Sequence, residues 1–225
     1  MSSLNKNLTV EEAVEILKRS QDLLIGLLVD MVDYAPKGLV HRNALCKTHK
    51  PEWLPGIIIK TPGNRAGVIN YIQSSRAMTG LDQLVLPRAI QLDLDKSLIK
   101  SMHPELQKIH NLDMNSLCVS EYIQGQIAGK LDKTQVKQLV KYIERTGWIG
   151  PSGRNLVLMP DQRVGIVDSE ENAHEWPYGW YMRSISNVSY GITKLRNEND
   201  LTDDAQDYLN RVLVLYKGAE KAIGS

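Results

Sequence analysis

Apolar positions along the chain change period several times, and each change marks an element. From Val10 to Tyr34 they recur at helical spacing: Val14, Leu17, Leu24, Leu28, Met31 and Val32. Thr9 followed by Glu12 is a capping box, in which each side chain satisfies an orphan amide at the helix start. Pro36 and Gly38 end the pattern. Ile57-Ile58-Ile59 is a β-branched run between Gly56 and Pro62, which predicts a buried strand with Lys60 at its end. Residues 64–79 return to helical composition, with Gly80 as C-cap. Leu84-Val85-Leu86, ended by Pro87, and Leu117-Cys118-Val119 predict two more short strands. A second strong helix follows Asp132, its N-cap, with Gln135 three residues on. Val136, Leu139, Val140 and Ile143 form one apolar face, and Gly147 ends it. Leu156-Val157-Leu158 and Val164-Gly165-Ile166-Val167 flank Pro160-Asp161-Gln162 and predict a hairpin. The last helix starts near Thr202 and turns Tyr208, Leu209, Val212, Leu213 and Tyr216 inward.

Strands dominate the first half and helices the second, which predicts an α+β chain in two lobes. The division expected is 1–123, an N-terminal helix plus a β-rich small lobe, and 124–225, a reduced helical lobe. Composition changes this picture little. The chain has 225 residues and a net charge of +1, so no large field points to nucleic acid or an anionic membrane. Two cysteines give no disulfide framework, and no apolar run is long enough to span a bilayer. The N-terminus lacks the apolar core of a secretory signal. A cytoplasmic location is therefore expected. Cys46-x-x-His49 has one zinc-compatible spacing, but no second pair follows it.

Candidate chemistry stands in a telling order. Lys60 ends a buried strand, where a lysine can hold phosphates as a point charge. Glu121-Tyr122-Ile123 follows another strand. Asn155 and Asp168 sit at opposite ends of the hairpin, whose turn brings its strands back together, so both side chains can converge on a divalent metal.

In this order the chain resembles the protein-kinase-like superfamily, including the aminoglycoside and choline phosphotransferases. Ile57–Lys60 looks like the strand with the ATP lysine, Ala66–Met78 like the regulatory helix, and Leu84–Pro87 like the next strand of the small lobe. Ser116–Ile123 looks like the last small-lobe strand and the hinge. The resemblance implies ATP and Mg2+ as cofactors. Lys60 would hold phosphates, the hinge backbone at Glu121 and Ile123 would meet adenine, and Asn155 and Asp168 would be metal ligands. Asp168-Ser169-Glu170 departs from Asp-Phe-Gly and resembles the Asp-x-Glu form of atypical kinases.

The departures bear on activity. The family's catalytic aspartate lies five residues before the metal asparagine, and here that place is Gly150. No carboxylate lies between Gly147 and Arg154, and glycine can neither accept nor orient a hydroxyl proton. No glycine-rich phosphate loop precedes Lys60. The helix after it has no evident glutamate partner, Gln73 being the nearest polar residue. The resemblance therefore implies a pseudokinase-type nucleotide-binding or scaffold protein that acts by binding a protein partner. An active atypical phosphotransferase, with Glu170 taking over, and an α+β interaction protein without a nucleotide site are the alternatives.

Overall fold

The computed structural model describes residues 7–33, 48–60, 75–95, 97, 116–127, 129–167 and 185–223. The chain divides into two compact units, Met1–Val68 with Arg88–Tyr122, and Ile69–Pro87 with Ile123–Ser225. Residues 69–87 thus group with the second unit, whereas the sequence reading kept all of 1–123 together.

Unit 1 contains α1 (Val10–Arg19), α2 (Gln21–Asp33) and the strands β1 (Thr48–His49), β2 (Ile57–Lys60), β4 (Ala89–Asp93) and β5 (Ser116–Glu121). The strands form one antiparallel sheet in the order β1-β2-β5-β4. Thr9 opens α1 with the expected capping box: its N–H donates to Glu12 Oε2 at 2.8 Å and its hydroxyl accepts from Glu12 N at 3.2 Å.

The single helix expected over 10–34 is two. Ser20 is extended (φ −127°, ψ 101°) and donates its N–H to Ile16 O. Its hydroxyl accepts from Leu23 N at 3.4 Å, so one serine closes α1 and opens α2. Apolar periodicity continues through such a break. The competition of a serine side chain for backbone groups is the signal that marks it. Successive strand residues face opposite sides, and one side buries Ile57, Ile59, Leu92, Leu117 and Val119 with Val10, Val14 and Leu17 of α1.

Unit 2 contains β3 (Leu84–Val85), β6 (Gln126–Ile127), α3 (Lys133–Thr146), β7 (Leu156–Leu158), β8 (Val164–Ile166), α4 (Ile185–Glu198) and α5 (Asp203–Ile223). Its sheet runs β3-β8-β7-β6, with β3 parallel to β8 and the other pairs antiparallel. Leu84–Val85, expected as a strand of the small lobe, thus lies in the sheet of unit 2, and the strand that pairs with β5 is β4, from Ala89↔Ser120 to Asp93↔Ser116. β4 carries a weak strand signal in the sequence, because Ala89 and Asp93 have poor strand propensity. Only Ile90 and Leu92 alternate toward the core.

The α3 ends are as expected. Asp132 accepts from Thr134 N and Gln135 N, and Gly147 is left-handed at φ 70°. Gln135, 3% exposed, does more than cap. Its Oε1 accepts from Asp132 N at 2.8 Å, and its Nε2 donates 2.6 Å to the carbonyl of Gln162, the left-handed residue of the hairpin turn. Asp132→Ala removes one cap acceptor and is expected to lower stability by about 1 kcal/mol in urea denaturation. An unchanged midpoint would mean that the first turn needs no side-chain acceptor.

Candidate functional site

Lys60 closes β2, half-buried, with its Cα in register with Cys118 of β5 and Thr48 of β1. Strand alternation puts it on the sheet face opposite α1. That face also carries Ile58, Gln91, Ser116, Cys118 and Ser120. The three β5 residues of this face are each 4% exposed. Small polar side chains there contrast with the aliphatic face beneath the helices. Cys118 is a buried thiol.

Glu121 is exposed, but both its backbone and its side chain are engaged. Its N–H donates to Arg88 O at 2.9 Å, and its carboxylate accepts from Arg88 N at 2.9 Å. The Arg88 guanidinium pairs in turn with Glu11 on α1. The Glu121 side chain is thus a clasp between β5 and the start of β4. Tyr122 donates its N–H to Gly56 O at 2.8 Å and lies under Lys50, whose Nζ is 3.6 Å from the ring centroid. Ile123 makes no backbone hydrogen bond among the described residues. Its side chain, 8% exposed, fills the space above Gly165 of β8, where an added Cβ would come 2.7 Å from Ile123 Cγ2.

Asn155 is 7% exposed and strongly held. Its N–H donates to Ser152 O at 2.8 Å and its carbonyl accepts from Val167 N at 3.0 Å. Its Nδ2 donates 2.8 Å to the carbonyl of Gly150, five residues earlier. With Nδ2 so used, Oδ1 has no protein partner among the described residues and is the atom left for a ligand. The bond to Val167 ties Asn155 to the last described residue after β8. Asp168, Glu170 and Gln73 themselves lie outside the described residues, as do residues 66–74 of the expected regulatory helix, Cys46 and His41. Among the described residues no cluster of His, Cys, Asp and Glu could by itself hold a metal ion.

Two anchors around this loop escaped the sequence reading. Asn199, just beyond α4, donates to Pro151 O at 2.7 Å and Leu195 O at 2.9 Å. Arg145 of α3 donates to Ala77 O at 2.6 Å and Thr79 O at 2.7 Å. Gln138 adds bonds to Asp82 and to Gln83 N, which fastens the stretch before β3 to α3. A basic residue in the last helical turn, here Arg145, is the sequence signal for such a bond. At the hairpin turn, a hydrogen bond from Arg163 holds the Asp161 carboxyl below the usual carboxylate range.

No protein-family model, curated protein or solved structure matches the chain. Among the described residues, no helix is long and apolar enough to cross a membrane.

Proposed function

We propose that this chain is a divergent protein-kinase-like protein of the pseudokinase kind, which binds ATP with Mg2+ and acts through a protein partner. In this reading Lys60 holds phosphates, the backbone at Glu121 and Ile123 meets adenine, and Asn155 and Asp168 hold the metal. The observation that carries the reading is the fixation of Asn155. A buried amide clamped through Nδ2 to the Gly150 carbonyl, with Oδ1 left over, is preorganised as an oxygen ligand for a hard cation. Further support comes from the hydrogen bond linking Asn155 to Val167, one residue before Asp168. The order β1-β2-β5-β4 and the polar sheet face that carries Lys60 also favour it.

Gly150 decides the expected activity. It contributes its carbonyl to the clamp but has no side chain to accept a proton from a substrate hydroxyl. Nucleotide binding without efficient transfer is the outcome expected. The metal, when bound, would neutralise phosphate charge.

A ligand that binds only the folded chain must raise its melting temperature. Mg·ATP at about 100 times its Kd contributes about 2.7 kcal/mol, or a rise of roughly 5–11 °C for a chain this size. The rise should need the metal and vanish in Lys60→Ala and Asp168→Ala. No rise at millimolar Mg·ATP would sink the nucleotide reading. Phosphate transfer that disappears in Asp168→Ala would replace the pseudokinase with an active atypical phosphotransferase.

A further inference from the structure

We infer that the α3/α5 face of unit 2 docks an acidic, amphipathic segment of a partner protein. The two helices run side by side in the same direction. Near their starts, the Asp204 carboxyl is held below its ordinary range by a hydrogen bond from Thr202 and by the charge of Lys133. One turn on, Lys137 Nζ lies 5.8 Å from the Tyr208 ring centroid. Near the end of α3, the Tyr216 hydroxyl donates to Glu144 Oε1 at 2.7 Å. Burial and this carboxylate push the Tyr216 hydroxyl well above the ordinary tyrosine range, so it stays a donor.

That register fixes what faces outward. Lys133, Lys137 and Lys141 recur every four residues, and so form one stripe of α3. Tyr208, Arg211 and Leu215 recur at i, i+3 and i+7, and form the α5 stripe beside it. Lys137, Lys141 and Arg211 are exposed, and Leu215 is 72% exposed. None of the three cations has a salt bridge among the described residues. Leu215 stands one turn beyond Arg211 on α5, with Lys137 and Lys141 on the neighbouring α3 stripe, and an exposed leucine flanked by cations without salt bridges complements a helix with an apolar anchor and flanking carboxylates. A nucleic acid fits less well: Leu215 offers it nothing, and Asp207 is exposed one turn before Arg211.

The test selects random 16-residue peptides displayed on phage against the intact chain, without nucleotide, so that its failure leaves the nucleotide reading untouched. The enriched peptides are then synthesised and their binding followed by fluorescence anisotropy. They should carry Glu or Asp around Leu, Ile or Phe at helical spacing. Binding should fall at least tenfold in Lys137→Glu/Lys141→Glu and in Leu215→Asp. Replacing the peptide's Glu with Lys should restore binding to the double variant. These side chains are exposed, and the Lys137 contact with the Tyr208 ring is weak, so both variants should melt within about 4 °C of the parent. Three results overturn the inference: no acidic enrichment, equal binding by the variants, or binding of oligo-dT that the double variant loses. Sedimentation showing a dimer that Leu215→Asp dissociates would assign the face to a second copy, and overturns it too.

Discussion

Trp148→Ala is expected to cost unit 2 about 4 kcal/mol, within the range for removing a buried tryptophan. Trp148 is 1% exposed and meets Tyr142 edge-on, with ring centroids 5.6 Å apart and planes at 79°. It follows Gly147, the left-handed cap of α3, and begins the loop that ends at Asn155. Its loss would leave a cavity beneath that loop, which Leu139, Ile143 and Ile192 cannot fill without moving helices. The indole N–H is buried with no hydrogen-bond partner among the described residues. Phenylalanine would keep much of the ring and remove the unsatisfied donor. Trp148→Phe should therefore cost less than about 1.5 kcal/mol. Urea denaturation followed by far-ultraviolet circular dichroism measures both, since the other tryptophans would confuse a fluorescence signal. A loss below about 1 kcal/mol in Trp148→Ala would mean that the residue is not a keystone of this core.

What the sequence revealed of this chain was local. Thr9, Asp132 and Gly147 announce their helix ends because capping uses residues three or four apart. The β7–β8 hairpin is legible for the same reason. Pairing across long separations was not legible. Leu84-Val85 reads as a strand, but nothing in its composition says that it lies parallel to Val164–Gly165 rather than beside β5. Pro87 breaks the apolar run after β3 and β4 begins two residues later, so the weakly apolar β4 has no boundary signal of its own.

The candidate site was legible to a similar degree. Lys60 at a strand end and Asn155 before the hairpin stand where the pattern put them. The hydrogen bond from Asn155 to Gly150 could not be read, because it needs only a carbonyl, which every residue supplies. Gly150 therefore looks like a pure loss in sequence but works as an acceptor in the structure. Glu121 goes the other way: its conspicuous carboxylate is committed to Arg88 N, so only its backbone is a candidate for a ligand.

Gly191→Ala sets helix propensity against packing, and packing should win. Alanine in the middle of a helix is ordinarily worth about 0.5–1 kcal/mol over glycine. Gly191 lies in α4 where it passes the Trp148 carbonyl. A Cβ there would enter the van der Waals radius of that oxygen and come 3.0 Å from Ile143 Cγ2. Neither can yield easily, since one is backbone and the other lies in the fully buried face of α3. Overpacking of this kind costs about 1–3 kcal/mol, so a net loss of roughly 2 kcal/mol is expected. Gly218→Ala on α5 provides the comparison. A Cβ there has nothing within 4 Å, so propensity acts alone and stability should rise by about 0.5 kcal/mol. Opposite signs in two helices of the same unit would isolate the close approach as the cause, and a gain in Gly191→Ala would refute it. The same variant reaches the proposed nucleotide site. Pushing on Trp148 displaces the loop whose Gly150 carbonyl fixes Asn155, so the Mg·ATP-dependent rise in melting temperature should shrink in Gly191→Ala. In Gly218→Ala it should persist, because nothing at that position touches the loop.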